Sequence, residues 1–540
     1  MNFGANLTIK INKNKLPEFH KKLSKLKFLD PACGCGNFLV ITYRELRLLE
    51  VEILRAMNKN GQGFLDVRDI IWLDVDMMCG IEYEEFPARI AEVAMWLMDH
   101  QMNMAISNEF GQYFARLPLK KAANIVHGNA LQMEWENIVP QNELSYILGN
   151  PPFIGKQLQN SNQKKDMEVV FRNYDSGGAL DYVTAWYVKA AKYIKDTKIK
   201  AAFVSTNSIS QGEQVSMLWG IFYSIYKIKI HFAHQSFKWS NEAKGNAGVH
   251  VVIIGFANFD INEKNIFEYE NILGLPHELK VKNINPYLVE GKDQFVIRRK
   301  QPISKVPLLI KGNQPTDDGN FLFTNEEMEK FVNEEPNSKK WFKRFIGSNE
   351  FINNIERWCL WLVDISPTEL KQLPRICERV NNVKNYRLKS PKASTNRKAQ
   401  TPTLFDEIRH TGNNYLVIPE VSSENRKYLP IGYIDSDIIS SNKNYMLPNA
   451  LLYHFGILNS MMHNVWTQNV SGRLESRIQY SNGIVYNNYP WPENHTEKHF
   501  KIIETAAQKI LNTRLLFPYS SLADLYDPIS MPPALVKVPQ

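Results

Sequence analysis

Short apolar runs alternate with helical apolar periodicity over the first half of the chain. The runs that predict buried strands lie at 26–30, 77–82, 124–128, 145–149 and 201–206. The stretches whose apolar positions recur at helical spacing lie at 37–57, 86–102 and 179–195. Residues 227–234 and 249–259 then predict an antiparallel pair that ends the sheet. This alternation is typical of a doubly wound α/β domain.

The pattern changes near residues 260–300, where Asn, Lys and Pro become frequent and the strand–helix alternation fades. A mixed α+β region is predicted to follow. After it come a helical stretch at 451–466, a polar turn-rich segment and a final helix at 496–516. The predicted domains are therefore 1–280, 285–455 and a small helical C-terminal part at 456–540.

Composition restricts the class of protein but does not identify a binding partner. A chain of 540 residues exceeds what one core usually holds, and a net charge of +8 suits a polyanion only where the charge clusters. Five irregularly spaced cysteines disfavour a disulfide framework and favour a reducing compartment. No apolar run is long enough to span a membrane, and residues 1–15 lack the apolar core of a signal peptide. We expect a soluble, cytoplasmic protein with no membrane partner.

The loop DPACGCGNF (30–38) connects the first predicted strand to the first long helix. Nucleotide-like cofactors bind at this position in such sheets, although glycines alone also fit a plain turn. A dinucleotide loop has a third glycine and no acid, because an acid repels pyrophosphate. Asp30 instead suits the cationic amino end of S-adenosyl-L-methionine, directly or through water. The predicted cofactor contacts in this loop are Asp30, Pro31, Ala32, Gly34, Gly36, Asn37 and Phe38.

Metal binding by this loop is disfavoured. Cys33 and Cys35 have one residue between them and no second pair elsewhere, which makes a poor zinc site. We therefore expect no metal.

Polar residues also follow the next two predicted strands. Glu82, at the end of the second strand, is placed to accept hydrogen bonds from ribose hydroxyls; the alternative is a solvated surface glutamate. Asn129, after the third strand, is placed to hydrogen-bond the adenine ring; the alternative is an ordinary turn asparagine. Both positions extend the predicted cofactor site along one edge of the sheet.

The tetrapeptide Asn150-Pro151-Pro152-Phe153 follows the fourth predicted strand. An exocyclic base amine is a weak nucleophile because its lone pair is delocalised into the ring. The Asn150 side-chain oxygen and the Pro151 carbonyl can accept its hydrogens and so draw that lone pair toward a sulfonium methyl. Consecutive prolines stiffen the loop, and Phe153 presents a ring on which an extruded base can stack. The alternative, a rigid loop without catalytic function, is disfavoured by the glycine loop that precedes it.

Methylation at cytosine C5 is disfavoured by the cysteines. That reaction needs a nucleophilic thiol, usually in a Pro-Cys pair, and none of the five cysteines follows a proline. The chemistry predicted by the motifs is methyl transfer to an exocyclic amine.

The two motifs resemble those of the amino-group DNA methyltransferases, and a longer resemblance extends to the MmeI-like type IIG family. In that family a restriction endonuclease and an N6-adenine methyltransferase share one chain. The matching stretches are 28–50, 80–103, 125–131, 146–156, 201–215, 228–245 and 471–493. The resemblance implies a Rossmann-like class I methyltransferase sheet followed by a region that recognises the DNA sequence. It also implies the same roles for the residues named above, within a restriction-modification system.

The motif HQSFKW (234–239) belongs to this resemblance and suggests Phe237 as a second aromatic contact for the flipped base. The alternative for Phe237 is a core phenylalanine. Relatives in the family also have a long N-terminal part, with a nuclease, a helical spacer and a segment that closes over the cofactor. Only 29 residues precede Asp30 here, and they contain neither a nuclease motif nor that segment. The hypothesis left open is that methylation is weak, or that a separate chain supplies the nuclease or the cofactor lid.

Double-stranded DNA is the expected partner, and a basic cluster in residues 381–400 is predicted to be a loop that tracks its phosphates. The cluster comprises Lys384, Arg387, Lys389, Lys392, Arg397 and Lys398. The alternative is a solvated surface loop. Arg473 and Arg477, which lie in the family-like SGRLESR motif, are further candidate DNA contacts.

Two competing functions remain at this stage. Asn-Pro-Pro-aromatic motifs and close variants also serve methylation of cytosine N4, of RNA guanine and of protein glutamine. A second alternative is a truncated, catalytically impaired remnant that binds DNA or a partner chain. The large C-terminal region favours DNA as the substrate.

Overall fold

The structure is a computed structural model that describes residues 15–57, 66–114, 116, 122–174, 177–239, 249–270, 274–474, 476–493 and 496–538. The chain divides into two compact units. Unit 1 comprises residues 1–210 and 214–295, and unit 2 comprises residues 211–213 and 296–540. The predicted boundary near 280–285 lies close to this division. The predicted boundary at 455 falls inside unit 2 and stays a prediction.

Unit 1 has the alternating order of helices and strands that the apolar pattern predicts. Its helices are α1 (Leu16–Leu23), α2 (Asn37–Met57), α3 (Glu85–Phe110), α4 (Ser161–Phe171), α5 (Thr184–Tyr193) and α6 (Gly212–Ser224). Its strands are β1 (Phe28–Asp30), β2 (Met78–Glu82), β3 (Asn124–His127), β4 (Tyr146–Gly149), β5 (Lys200–Thr206), β6 (Lys229–Trp239), β7 (Val249–Ala257), β8 (Lys264–Glu268) and β9 (His277–Val281).

These strands form one nine-stranded sheet in the order β3-β2-β1-β4-β5-β7-β6-β8-β9. The first five strands are parallel, whereas β7 runs antiparallel to both β5 and β6. The predicted α/β fold and its antiparallel pair are therefore confirmed, but the pair does not end the sheet, because β8 and β9 continue it beyond β6. Because β1 is flanked by β2 and β4, the strand order reverses there, and ligands bind in such sheets outside the carboxyl ends of the strands at that point.

The boundaries of α2 match the prediction, and Leu39 and Tyr43 are fully buried on its inner face. Helix α3 continues eight residues past its predicted end. Ile106 keeps the inner face buried, and the helix ends only where Gly111 takes a left-handed conformation with φ of 65°. Buried clusters around Leu29 and Phe28 fill the two faces of the sheet, and all their members belong to unit 1.

Unit 2 combines short sheets with helices, as predicted for the mixed region. Its helices are α7 (Asn325–Glu334), α8 (Ser348–Asn353), α9 (Pro367–Lys371), α10 (Pro374–Leu388), α11 (Ala393–Arg397), α12 (Leu452–Leu458), α13 (Met461–Val470), α14 (Glu497–Leu515), α15 (Leu522–Leu525) and α16 (Pro533–Val536). Its strands are β10 (Ile310–Lys311), β11 (Leu322–Thr324), β12 (Phe342–Ile346), β13 (Arg357–Leu360), β14 (Tyr415–Pro419), β15 (Val421–Ser422), β16 (Gly432–Ile434), β17 (Ile439–Ser440), β18 (Asn444–Pro448), β19 (Gly472–Leu474) and β20 (Arg477–Gln479).

The strands of unit 2 form three small sheets, ordered β10-β18-β14-β16, β11-β13-β12-β17 and β15-β20-β19. An aromatic-rich cluster that includes Phe321, Phe345 and Trp361 forms a core whose members all belong to unit 2. The helical stretch predicted at 451–466 is two helices, because Ser460 caps α13 by accepting a hydrogen bond from the His463 N–H. The helix predicted at 496–516 is confirmed as α14, but it is not the final helix, because the short helices α15 and α16 follow it.

The basic segment 381–400 was wrongly predicted to be a loop. It begins within α10, whose buried positions Ile376, Val380 and Val383 recur at helical spacing, and it continues into α11. The apolar spacing was hidden because charged and amide residues fill the intervening positions. No helix in the described part of the chain is long and apolar enough to cross a membrane.

Candidate active site

A cavity of about 560 Å³ lies at the carboxyl ends of the parallel strands in unit 1. Its walls come from the segments that follow β1, β2, β3 and β4, from the start of α4, and from α5. The predicted residues on its wall are Pro31, Ala32, Gly34, Glu82, Asn129, Asn150 and Pro152. The sheet order thus brings together side chains that are more than a hundred residues apart in sequence.

The glycine loop follows β1 closely and forms one wall of the cavity. Gly34 and Gly36 both have positive φ, at 53° and 82°. A Cβ atom on Gly36 would lie 3.0 Å from the Cβ of Ala91 on α3, so only glycine fits there. The Trp186 indole N–H donates to the Pro31 carbonyl at 2.9 Å and fixes the loop from α5. Gly36, Asn37 and Phe38 do not line the cavity; Gly36 ends the loop, and α2 begins at Asn37.

The Glu82 carboxylate links the glycine loop to Glu84, the residue just before α3. One carboxylate oxygen accepts the Gly34 N–H at 2.8 Å, and the other accepts the Glu84 N–H at 3.0 Å. Each oxygen can accept a further hydrogen bond, and Glu82 lines the cavity. This arrangement fixes an acceptor pair where ribose hydroxyls were predicted to bind.

Asp30 lies behind the cavity wall and is almost fully buried. Its carboxylate accepts the Ala32 N–H at 3.0 Å, and a Cβ atom on Gly149 would lie only 2.5 Å from that same oxygen. Burial raises the pKa of Asp30 to about 7, the hydrogen bond from Ala32 opposes this, and the nearby Glu82 adds to the rise. Glycine at position 149 therefore creates the space in which this acid is held.

The raised pKa of Asp30 predicts that a cationic ligand binds more weakly in acid. The ionised carboxylate dominates above about pH 7 and attracts an ammonium group, whereas protonation below pH 7 removes that attraction. Affinity for S-adenosylhomocysteine should be highest where the Asp30 carboxylate is ionised and the ligand's amine is still protonated, and should fall by up to about tenfold per pH unit well below 7. Calorimetric titration across this range measures it. Asp30→Asn should bind weakly with little pH dependence, and an unchanged pH profile in this variant would contradict the role.

Asn129 has both ends of its side chain engaged. Its oxygen accepts the Leu131 N–H at 2.9 Å, and its amide nitrogen donates to Asp166 on α4 at 3.1 Å. It lines the cavity, as predicted, but it also shapes the turn after β3. The structure thus shows the turn-shaping contacts of Asn129, and its hydrogen bond to an adenine ring stays a prediction.

The tetrapeptide follows β4 directly and presents one buried acceptor without a donor. Among the described residues, the Asn150 side-chain oxygen is buried and has no hydrogen-bond partner. A buried polar atom of this kind is costly unless a ligand completes it. Pro151 is buried, Pro152 is exposed and lines the cavity, and Phe153 packs partly against the core beside it. Phe153 is therefore adjacent to the cavity but is not part of its wall.

Phe237 belongs to an aromatic cluster at the same edge of the sheet. It pairs with Val251, which pairs with Thr206 at the carboxyl end of β5. Its ring stacks on Tyr269 at 5.0 Å, and the neighbouring His234 ring stacks on Phe267 at 4.2 Å. Three strand spacings, or about 14 Å, separate β6 from β4. Phe237 is partly accessible and is not a fully buried core residue.

The basic cluster of unit 2 divides into exposed and buried members. Lys384, Lys389, Lys392, Arg397 and Lys398 are exposed. Arg387 was wrongly predicted as a DNA contact, because its side chain is fully buried. Its guanidinium donates to the backbone carbonyls of Pro315, Thr316, Lys398, Thr401 and Leu404 at 2.8 to 3.2 Å. Its role is to join α10 to the segments on either side.

Arg473 and Arg477 lie on opposite faces of the β19–β20 hairpin. Arg473 pairs with Ile478, which is buried, whereas Arg477 pairs with the exposed Leu474. The Arg473 guanidinium donates to the Gln468 carbonyl at 2.7 Å, and burial lowers its pKa. Arg477 is exposed. One flat DNA surface would therefore not meet both side chains from the same side of the hairpin.

Several cavity residues were not predicted from the sequence, among them Gln132, Asp166, Tyr182 and Trp186. Asp166 is buried, and it accepts hydrogen bonds from Asn129, Gln132 and Tyr182. Helix α4 has a weakly apolar sequence, so its acid resembled an ordinary surface residue. The only available signal was its position shortly after the tetrapeptide.

Comparison with known families matches nearly the whole chain to one group of proteins. The model of the MmeI DNA-methyltransferase domain matches residues 7–268. The MmeI target recognition domain matches 290–493, and the MmeI C-terminal domain matches 495–540.

Individual relatives show the same similarity. DNA methyltransferase A of Bacillus subtilis is 42% identical over 522 residues, which cover 96% of this chain and 58% of that protein. The solved structure of the type IIL restriction-modification enzyme MmeI in complex with DNA is 55% identical, with a TM-score of 0.92 over 98% of this chain and 70% of that one. The chain thus spans somewhat over half the length of the Bacillus relative.

Proposed function

Since the chain belongs to the MmeI family, we propose that it is a site-specific DNA methyltransferase that acts on N6 of adenine within a restriction-modification system. S-adenosylmethionine is the proposed methyl donor. The observation that supports this function best is the buried, unpartnered Asn150 oxygen on the wall of a cavity at the switch point of the sheet. It is an acceptor that an aromatic amine would complete.

The residues of the cavity fit that donor. A volume of about 560 Å³ lies in the range of cofactor sites, and the Glu82 oxygens are held by two backbone N–H groups. The donor supplies an electrophilic methyl group when bound. Glu82 holds the ribose, Asn129 meets the adenine ring, and the buried charge of Asp30 favours the amino end.

Catalysis is then mainly the placement of two acceptors. The Asn150 oxygen and the Pro151 carbonyl accept the hydrogens of the target amine, which localises its lone pair on nitrogen. The two prolines restrict the loop, so the acceptors need little reorganisation during the reaction. Phe153 and Phe237 are the proposed aromatic contacts for a base that has left the helix.

Methyl transfer from tritiated S-adenosylmethionine tests the proposed function. Duplex DNA, RNA and protein are supplied in parallel, and labelled products are hydrolysed and identified. We expect label in DNA, as N6-methyladenine. Label in N4-methylcytosine, RNA or glutamine would assign a different acceptor, whereas no turnover by a folded protein would favour the remnant that only binds.

A second chain that provides a nuclease or a cofactor lid stays a proposal. Adding such a chain should raise the rate of methyl transfer.

The exposed lysines at the end of α10 are proposed DNA-phosphate contacts. Changing Lys384, Lys389 and Lys392 together to Gln should weaken binding and reduce the slope of log K against log salt by about one for each lost contact. Filter binding or fluorescence anisotropy at several salt concentrations measures the slope.

A matched control removes the same charge from another exposed helix. Changing Lys498, Lys501 and Lys509 on α14 to Gln alters the net charge equally. This control should shift the slope less than the α10 variant does. An equal shift in both would mean that net charge, and not contact by α10, determines the affinity.

A further inference from the structure

Asp166 is a buried carboxylate that joins three side chains on the cavity wall. One of its oxygens accepts hydrogen bonds from the amide nitrogens of Asn129, at 3.1 Å, and Gln132, at 2.8 Å. The other oxygen accepts the Tyr182 hydroxyl at 2.6 Å. Only 4% of Asp166 is exposed, and all four residues line the cavity. The proposed methyl transfer gives Asp166 itself no role.

An ionised carboxylate accepts hydrogen bonds and does not donate, so it fixes which way a neighbouring amide points. Two hydrogen bonds fix the orientation of the Asn129 amide, because its oxygen also accepts the Leu131 N–H. The second hydrogen of its amide nitrogen remains available as a donor. At Gln132 the nitrogen is held by Asp166, and the oxygen therefore becomes the free acceptor. The wall thus presents one donor and one acceptor of fixed identity.

This pair matches the hydrogen-bonding edge of a 6-aminopurine. Adenine accepts at N1 and donates from its N6 amine, whereas hypoxanthine donates from N1 and accepts at its 6-oxygen. A donor beside an acceptor therefore favours adenine and opposes the 6-oxo base. Asn129 and Gln132 follow β3, next to the strand that ends in Glu82, so a nucleoside whose ribose is held by Glu82 places its base beside them.

We propose that Asp166 is a positioning residue that orients Asn129 and Gln132 so that the cavity selects the 6-amino purine of its nucleoside ligand. The proposal rests on the proposed function, in which that ligand is the adenosyl group of the methyl donor. Asp166 acts through the two amides. It contributes to cofactor selection, and the methyl-transfer step does not depend on its charge.

Calorimetric titration with S-adenosylhomocysteine and S-inosylhomocysteine tests the orientation directly. The wild-type chain should prefer the adenosyl compound by about tenfold or more, since buried groups left unpaired by the wrong base are costly. Asp166→Asn should reduce that ratio by about tenfold, because the new amide can itself donate and Gln132 can then turn, whereas the Leu131 N–H still orients Asn129. Tyr182→Phe is the matched control, and it should leave the ratio unchanged because both amides keep their acceptor.

Gln132→Leu provides a second variant, because Gln132 is exposed and its replacement is expected to leave the fold intact. It should lower the adenosyl preference while Asp166 remains in place. If Asp166→Asn weakened both compounds by the same factor, or if Gln132→Leu left the ratio unchanged, the orienting role would be overturned. Binding of S-adenosylhomocysteine without discrimination would overturn the role and leave the proposed function intact. Failure of the folded wild-type chain to bind it would overturn both.

Discussion

Asn150→Ala is expected to lower methyl transfer by about 10²- to 10³-fold while cofactor affinity stays within about twofold of the wild type. The substitution removes the buried, unpartnered side-chain oxygen of a residue that lines the cavity, and it leaves Glu82 and the glycine loop unchanged. Since the lost acceptor acts on the amine in the transition state, the substitution should lower kcat and should not lower the affinity for the cofactor. Single-turnover transfer to duplex DNA and calorimetry with S-adenosylhomocysteine measure the two quantities separately.

Asn142→Ala is the control for this experiment. Asn142 is an exposed asparagine at the opposite edge of the sheet, before β4 begins, and its loss should change neither quantity. Turnover retained by Asn150→Ala would remove this residue from catalysis. A loss of turnover that is matched by an equal loss of cofactor affinity would indicate a structural role instead.

Arg387→Leu is expected to destabilise unit 2 by about 3 to 5 kcal/mol, one of the larger effects that a single substitution produces. The guanidinium donates to five backbone carbonyls while its side chain is fully buried. Leucine fills part of the space but leaves all five oxygens without that donor. Burial lowers the pKa of Arg387. The nearby carboxylates of Asp406 and Asp317 oppose this effect and favour the charged guanidinium. Denaturant unfolding followed by tryptophan fluorescence measures the change.

Lys384→Leu is the matched comparison, one turn earlier on the same helix. Its side chain is exposed, so removing its charge should change the free energy of unfolding by less than about 1 kcal/mol. The effects on DNA binding should be the reverse. Lys384→Leu should weaken binding because its exposed side chain can reach a phosphate, whereas Arg387→Leu should leave the phosphate contacts of the folded chain unchanged because Arg387 is buried. Equal stability of both variants would mean that the carbonyl cluster around Arg387 contributes little to the fold.

The sequence alone was sufficient to predict those parts of the site that consist of consecutive residues. The glycine loop, the acid at the end of β1 and the tetrapeptide after β4 each depend on consecutive residues, and the parallel strands bring their ends together. Helix α2 was predicted with its observed ends because its apolar spacing runs from Asn37 to Met57 without interruption.

What could not be predicted depends on contacts between distant segments. Asp166 resembles a surface acid in its local sequence, yet partners 16 to 37 residues away bury it. Arg387 lies in a run of basic residues, and only the convergence of five carbonyls from two distant segments removes it from solvent. In both cases the hydrogen-bond partners, and not the residue type, decide the role.

Each unit closes its own apolar core, since the cluster around Leu29 contains only residues of unit 1 and the cluster around Phe321 contains only residues of unit 2. A genetic crossover near residue 295 would therefore exchange one half of the gene for that of a relative without splitting either cluster. Inheritance would in this way replace the half that matches the target recognition domain in a single event, while the half that matches the methyltransferase domain passes on unaltered.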